Sequence, residues 1–222
     1  MAILLKRGVG IRYQPAAIGN FIFADSRDDL LHGLLTRNLG TCSSLPVLCV
    51  AIGRRLGYPL HLAVSKGHVF CQWLNDDGSH LNFEISGDDG DAAMHDDGHY
   101  YVWPRPMTRE EITSRLYLRP LTRMEELALF LETRGHCLVD NKRFDDARQA
   151  YEQAHKAAPL WSQLQNHLYS LSLHRSQGQG LCGTCIVASL GLLPQKPQPT
   201  VASPTLNRGL FPPMVSIPGL TH

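Results

Sequence analysis

Gly40-Thr41-Cys42-Ser43-Ser44-Leu45-Pro46-Val47-Leu48-Cys49-Val50-Ala51-Ile52-Gly53-Arg54-Arg55-Leu56-Gly57 is the stretch whose reading decides the fold. Pro46 fits only the first turn of a helix, where no amide hydrogen bond is lost. Thr or Ser just before it supplies a cap. Arg54 and Arg55 suit the negative end of the helix dipole, and Gly57 suits the C-terminal stop. From Leu45 to Ile52 nearly every side of the helix is apolar, which predicts a buried helix. Cys42 is therefore expected at the N-terminus of a buried helix.

Three strands are predicted downstream. Leu60, Leu62 and Val64 alternate with His61 and Ala63. His68-Val69-Phe70-Cys71-Gln72-Trp73-Leu74 is the second strand and His80-Leu81-Asn82-Phe83-Glu84-Ile85 the third. A two-residue Asp77-Gly78 loop or a three-residue Asp76-Asp77-Gly78 loop would join the last two. The three-residue loop is preferred, because it sets Val69, Cys71 and Trp73 on one face with Leu81, Phe83 and Ile85. The other face then carries His68, Phe70 and Gln72 against Asn82, Glu84 and Ser86. His68 and Glu84 become diagonal neighbours, about 7 Å apart at the backbone. Upstream, Asp25-Ser26-Arg27-Asp28-Asp29 opens a helix toward Gly40, with Ser26 and Asp29 read as a capping box.

Cys42, His68 and Glu84 then form a chemical constellation. A helix N-terminus and a nearby imidazolium both favour a thiolate, moving a thiol from about 8.5 into the range of roughly 3.5–7.5. A carboxylate on the second ring nitrogen fixes tautomer and orientation. Amides at the start of the Cys42 helix are expected to stabilise an oxyanion. Taken singly, Cys42 reads as a small buried residue, His68 as a satisfied histidine and Glu84 as a solvated strand residue. It is their order and placement together that point to a nucleophile.

Three zones are expected: residues 1–119 as an α+β core, 120–176 as an all-helical region, and 177–222 as a disordered tail. In zone two, Leu131, Gly135, Leu138, Phe144, Ala147, Tyr151, Ala154 and Pro159 read as one tetratricopeptide-like hairpin, with Lys142 at the turn glycine. A helix from Trp161 to Ser176 caps it. One repeat cannot stand alone, so it should pack on the core. The tail holds 7 of the 14 prolines, no Asp or Glu, and only Lys196 and Arg208 as charges.

Composition removes other classes. The chain has 222 residues, 43% hydrophobic and 18% charged, with 21 Lys+Arg against 20 Asp+Glu. A net charge of +1 gives no basic field for nucleic acid or an anionic membrane. No run reaches the length of a bilayer span. The apolar residues of Met1-Ala2-Ile3-Leu4-Leu5-Lys6-Arg7 precede the charges, the reverse of a secretory signal. A cytoplasmic protein is expected, its six cysteines free thiols. Cys182-Gly183-Thr184-Cys185 lacks a second pair, and His167 with His174 would have to complete a zinc site. Incidental tail cysteines are the preferred reading. Asp88, Asp89, Asp91, Asp96 and Asp97 lack EF-hand spacing and read as a solvated loop. Tyr100-Tyr101-Val102-Trp103 reads as core packing or a cleft lining.

The segments 40–48, 53–60, Lys66-Gly67-His68-Val69-Phe70 and Asn82-Phe83-Glu84-Ile85-Ser86 resemble bacterial transglutaminase-like proteins of the SirB type. Residues 122–160 are similar to the helical hairpin that follows the core in that family. The resemblance spans roughly residues 10–175. Family members commonly read Asn-x-Glu-Ala-Thr where Ile85 and Ser86 stand here, and carry further upstream helices, so the N-terminal side reads as short. The resemblance implies a papain-like α+β core with Cys42 as nucleophile, His68 as general base and acid, and Glu84 as its orienter. It implies acyl transfer or amide hydrolysis on a protein or peptide substrate, with neither metal nor cofactor. The alternative is a catalytically silent scaffold whose tetratricopeptide-like helices bind a peptide partner.

Overall fold

The computed structural model describes residues 8, 10–14, 23–85 and 93–177. In chain order its elements are β1 (Arg12–Tyr13), α1 (Ser26–Asp29), α2 (Leu31–Arg37), β2 (Leu39–Gly40), α3 (Leu45–Arg55), β3 (Leu60–Ser65), β4 (His68–Leu74), β5 (His80–Glu84), β6 (Ala93–His95), α4 (Asp97–Val102), α5 (Arg109–Thr113), α6 (Arg123–Asp140), α7 (Phe144–Ala157) and α8 (Ser162–Gln177). This is a mixed α+β chain. The segment expected to be a disordered tail lies outside the described residues, apart from its first residue, Gln177.

α3 forms over the apolar run, with Pro46 in its first turn and Leu45, Leu48, Cys49 and Val50 buried. Gly57 adopts φ +80. Its N–H donates to Arg54 O at 3.2 Å while Tyr58 N–H donates to Gly53 O at 2.9 Å, the paired closure that ends helices in a left-handed residue. Cys42 occupies the turn leading into α3 rather than the helix itself. Two expectations upstream are corrected. Asp25, not Ser26, caps α1, because its carboxylate accepts from both Arg27 N and Arg27 Nε at 2.9 Å. The chain then breaks at Leu30, which is extended, and α2 stops at left-handed Asn38 before Gly40.

β3, β4, β5 and β6 form one antiparallel sheet in that order. Cys71 pairs with Phe83, Gln72 with Asn82 and Trp73 with Leu81, which is the register of the three-residue loop. Gly78 takes the left-handed position at φ +82. The two predicted faces separate accordingly. Leu62, Val64, Val69, Cys71 and Ile85 pack with α3, whereas Phe70 and Ala63 pack with Tyr100 on the other face.

The apolar core does not stop at residue 119. Val50, Leu62 and Cys71 share one cluster with Leu121, Ala128, Ala154, Trp161 and Leu164 of the helical region. Backbone bonds from Leu118 N to Val64 O (3.0 Å) and Leu121 N to Leu62 O (2.8 Å) cover the β3 edge. Arg54 joins α3 to α6 through a two-pronged ion pair with Glu126. α6 and α7 form a hairpin in which Gly135 meets Tyr151 closely. A Cβ on Gly135 would lie 2.2 Å from the Tyr151 ring. Among the described residues no helix is long and apolar enough to cross a membrane.

Candidate active site

Three loops and strand ends converge on Cys42, His68 and Glu84. The Cys42 turn is closed by its own side chains: Thr41 N donates to Ser44 Oγ at 3.0 Å and Ser43 N to Thr41 Oγ1 at 3.2 Å. His68 opens β4 immediately after the Lys66-Gly67 turn, paired with Ser65. Glu84 ends β5 on the same sheet face. The predicted diagonal is realised: His68 Nε2 lies 2.9 Å from both Glu84 carboxylate oxygens. The Cys42 thiol lies beside the same ring, near enough to act on its charge. Because the carboxylate holds Nε2, Nδ1 is the nitrogen left for the thiol.

All three residues are buried: Cys42 is 6% exposed, His68 7% and Glu84 5%. Burial pushes the His68 imidazolium down. The neighbouring Cys42 and the hydrogen-bonded Glu84, with their charge, outweigh it and raise His68 from 6.5 to about 10. The ring is therefore an imidazolium at neutral pH.

Three aromatic residues complete the surroundings, and none was assigned a role from sequence. Tyr100, fully buried on α4, donates its hydroxyl to Glu84 Oε1 at 2.7 Å. Burial and that carboxylate hold Tyr100 protonated, far above its ordinary value. Trp103 sets its ring against His68 at 4.7 Å in an edge contact. Tyr13, opposite Gly40 in the β1–β2 pair, stands close to Cys42, and burial and that neighbour raise its phenol. The 100–103 run was the one legible signal: core packing was its preferred reading, and Tyr100 is fully buried while Trp103 stands against His68. The oxyanion expectation needs correction: the amides of Ser43, Ser44 and Leu45 are engaged with Thr41.

Two of the three residues open on a cavity of about 300 Å³. Cys42 and His68 line it from the core, and Glu132, His136 and Trp161 line it from the helical region. An ion pair between Lys66 and Glu111 at 3.0 Å stands on the same wall. A second polar cluster sits behind the α6 side. His167 Nε2 lies 3.0 Å from Glu132 Oε1, and the Tyr151 hydroxyl and His136 Nδ1 are hydrogen-bonded at 2.8 Å. Burial, and then the neighbouring His167, push His136 well below its ordinary value. From sequence, His167 was weighed only as a partner for tail cysteines. Cys182, Cys185 and the His174 side chain lie outside the described residues.

Of the acidic cluster, Asp96 caps α4 by accepting from His99 N at 2.9 Å, and Asp97 accepts from Asn82 Nδ2 at 2.7 Å. Asp88, Asp89 and Asp91 lie outside the described residues. Compared with family models, curated proteins and solved structures, the chain gives no match.

Proposed function

We propose that this chain is a transglutaminase-like thiol enzyme with a papain-like core, catalysing acyl transfer or amide hydrolysis through Cys42, His68 and Glu84. The observation that carries the reading is a single buried imidazole bonded to a carboxylate through Nε2, with the Cys42 thiol beside the same ring and lining the same cleft. An imidazolium beside a thiol favours the thiolate, the form that attacks. The Cys42 sulfur adds to a substrate carboxamide carbon. The C–N bond then breaks, and the His68 proton leaves with the amine. A thioester remains. Water or a second amine attacks it, His68 takes the incoming proton to become the imidazolium again, and the C–S bond breaks to return the thiolate. Glu84 keeps the ring oriented throughout, and Tyr100 keeps Glu84 in place. The substrate class is a protein or peptide carboxamide.

The test is alkylation of the full chain across pH, resolved by peptide mass spectrometry. Cys42 is expected to alkylate faster at neutral pH than Cys49, Cys71 and Cys137, and to lose that advantage in His68→Ala. Reactivity at Cys42 that is equal to theirs, or indifferent to the mutation, would sink the proposal. The 6% exposure of Cys42 favours a second reading, a silent scaffold whose tetratricopeptide-like hairpin binds a peptide. That reading expects a Cys42 that resists alkylation at every pH.

A further inference from the structure

The helical side of the cleft holds a constellation that the thiol chemistry does not use. Glu132 and His136 stand four residues apart on α6 and so share one helix face. α8 brings His167 against them. One ligand atom from each of the three lies within 4.8 Å of the others. Two imidazoles and a carboxylate are the donor set of hydrolytic zinc sites and of mononuclear iron sites, with coordination positions left open.

Two independent observations point to a ligand. His167 is 0% exposed, yet its Nδ1 has no hydrogen-bond partner. A fully buried polar atom left over in this way needs a reason. His136 has Nδ1 tied to the Tyr151 hydroxyl at 2.8 Å, which orients the ring and leaves Nε2 for another partner, as in metal-bound histidines. Access exists as well, because Glu132 and His136 line the cavity that also holds Cys42 and His68.

We propose that Glu132, His136 and His167 bind a first-row divalent cation of the zinc class, with Tyr151 as the positioning residue for His136. The site is separate from the triad and stands or falls without it. The remaining coordination positions are filled by water or by a ligand in the cleft.

The test uses the full chain carrying Cys42→Ala, Cys182→Ser and Cys185→Ser, so that cleft and tail thiols cannot supply ligands. Cobalt(II) is titrated in while visible absorption is followed, and zinc(II) is then added as competitor. One equivalent of cobalt is expected to bind, with d–d bands, no thiolate charge-transfer band, and displacement by zinc. Tyr151→Phe should weaken binding about 10–100-fold. Glu132→Gln and His167→Gln should abolish one-to-one binding. Should His167→Gln unfold the chain by circular dichroism, Glu132→Gln decides, because that side chain is 12% exposed and keeps its shape as the amide. Absence of saturable binding, a thiolate band, or affinity unchanged in the folded variants overturns the proposal.

Discussion

His68 and His136 line the same cleft, one from the sheet and one from the helical hairpin. Both are buried, and burial alone drives an imidazole toward its neutral form. His68 goes the other way, up to about 10, because a carboxylate hydrogen-bonds its ring and a thiol lies beside it. His136 meets a phenol and a second imidazole instead, and falls well below its ordinary value. What the neighbours offer, not the depth of burial, sets the charge. One wall of the cleft thus carries a cation suited to activating a thiol. The other carries a neutral base suited to a metal.

The largest effects should fall on the sheet side alone. His68→Ala should cut acyl transfer by about 10²–10⁴-fold at neutral pH, measured as ammonia released from a carboxamide peptide. Glu84→Gln keeps a partner at Nε2 but removes its charge, so its loss should be real and smaller than that of His68→Ala. An equal loss would make the carboxylate as indispensable as the imidazole. Next in size is the clamp between the two sides. Arg54 and Glu126 are 20% and 9% exposed at their side chains. Arg54→Ala leaves a largely buried carboxylate without its main partner and should cost about 3 kcal/mol in urea unfolding. The transition should remain single, because one apolar core runs through both regions. Two separated transitions would show the sides to be independent.

Alkaline titration separates the two histidines further. The folded chain holds the His68 proton up to about 10, whereas an unfolded histidine releases it near 6.5. The stabilisation is therefore complete below 6.5 and is lost as pH rises through about 10. Asp29, raised to about 7 by burial and by its acidic neighbours, also loses stabilisation on this rise, but only up to that point. His136 adds nothing between pH 8 and 10, being neutral in both states there. Urea midpoints between pH 8 and 10 should fall in the wild type and fall less steeply in His68→Gln, where the raised Cys71 and Cys137 thiols keep part of the slope. A slope unchanged by that substitution would contradict the raised His68.

The sheet side was legible because local chemistry defines it. Asp76-Asp77-Gly78 sets the register, and the register alone places His68 beside Glu84 on one face. Pro46 and Gly57 bracket α3 in the same local way. Tyr13, Tyr100 and Trp103 were not assigned, since each reaches the triad from another element and no period announces it. The helical cluster was hidden for the same reason. Glu132 and His136 share a helix face that sequence can show, but His167 joins them only through the packing of α8. The Leu30 break escaped notice because Leu30, Leu31, Leu34 and Leu35 read as one helical face. α1 stops after one turn because Leu30 is extended, its N–H closing on Ser26 O at 3.0 Å.

The smallest prediction changes only the hairpin. α6 ends with Lys142 N–H donating to Val139 O and Arg143 N–H to Leu138 O, both at 2.8 Å. This is the closure that ends α3, but Lys142 stands at φ +59 where α3 has Gly57 at φ +80. A side chain in that conformation costs about 1–2 kcal/mol, offset in part by the greater freedom that glycine loses on folding. Lys142→Gly should therefore stabilise the chain by about 0.5–1 kcal/mol, and Gly57→Ala should destabilise it by a similar amount. Because Lys142 lies far along the chain from the triad, Cys42 alkylation should be unchanged in Lys142→Gly. A gain in stability that also slowed Cys42 would mean that the hairpin sets the geometry of the nucleophile, and the two walls of the cleft would have to be treated as one.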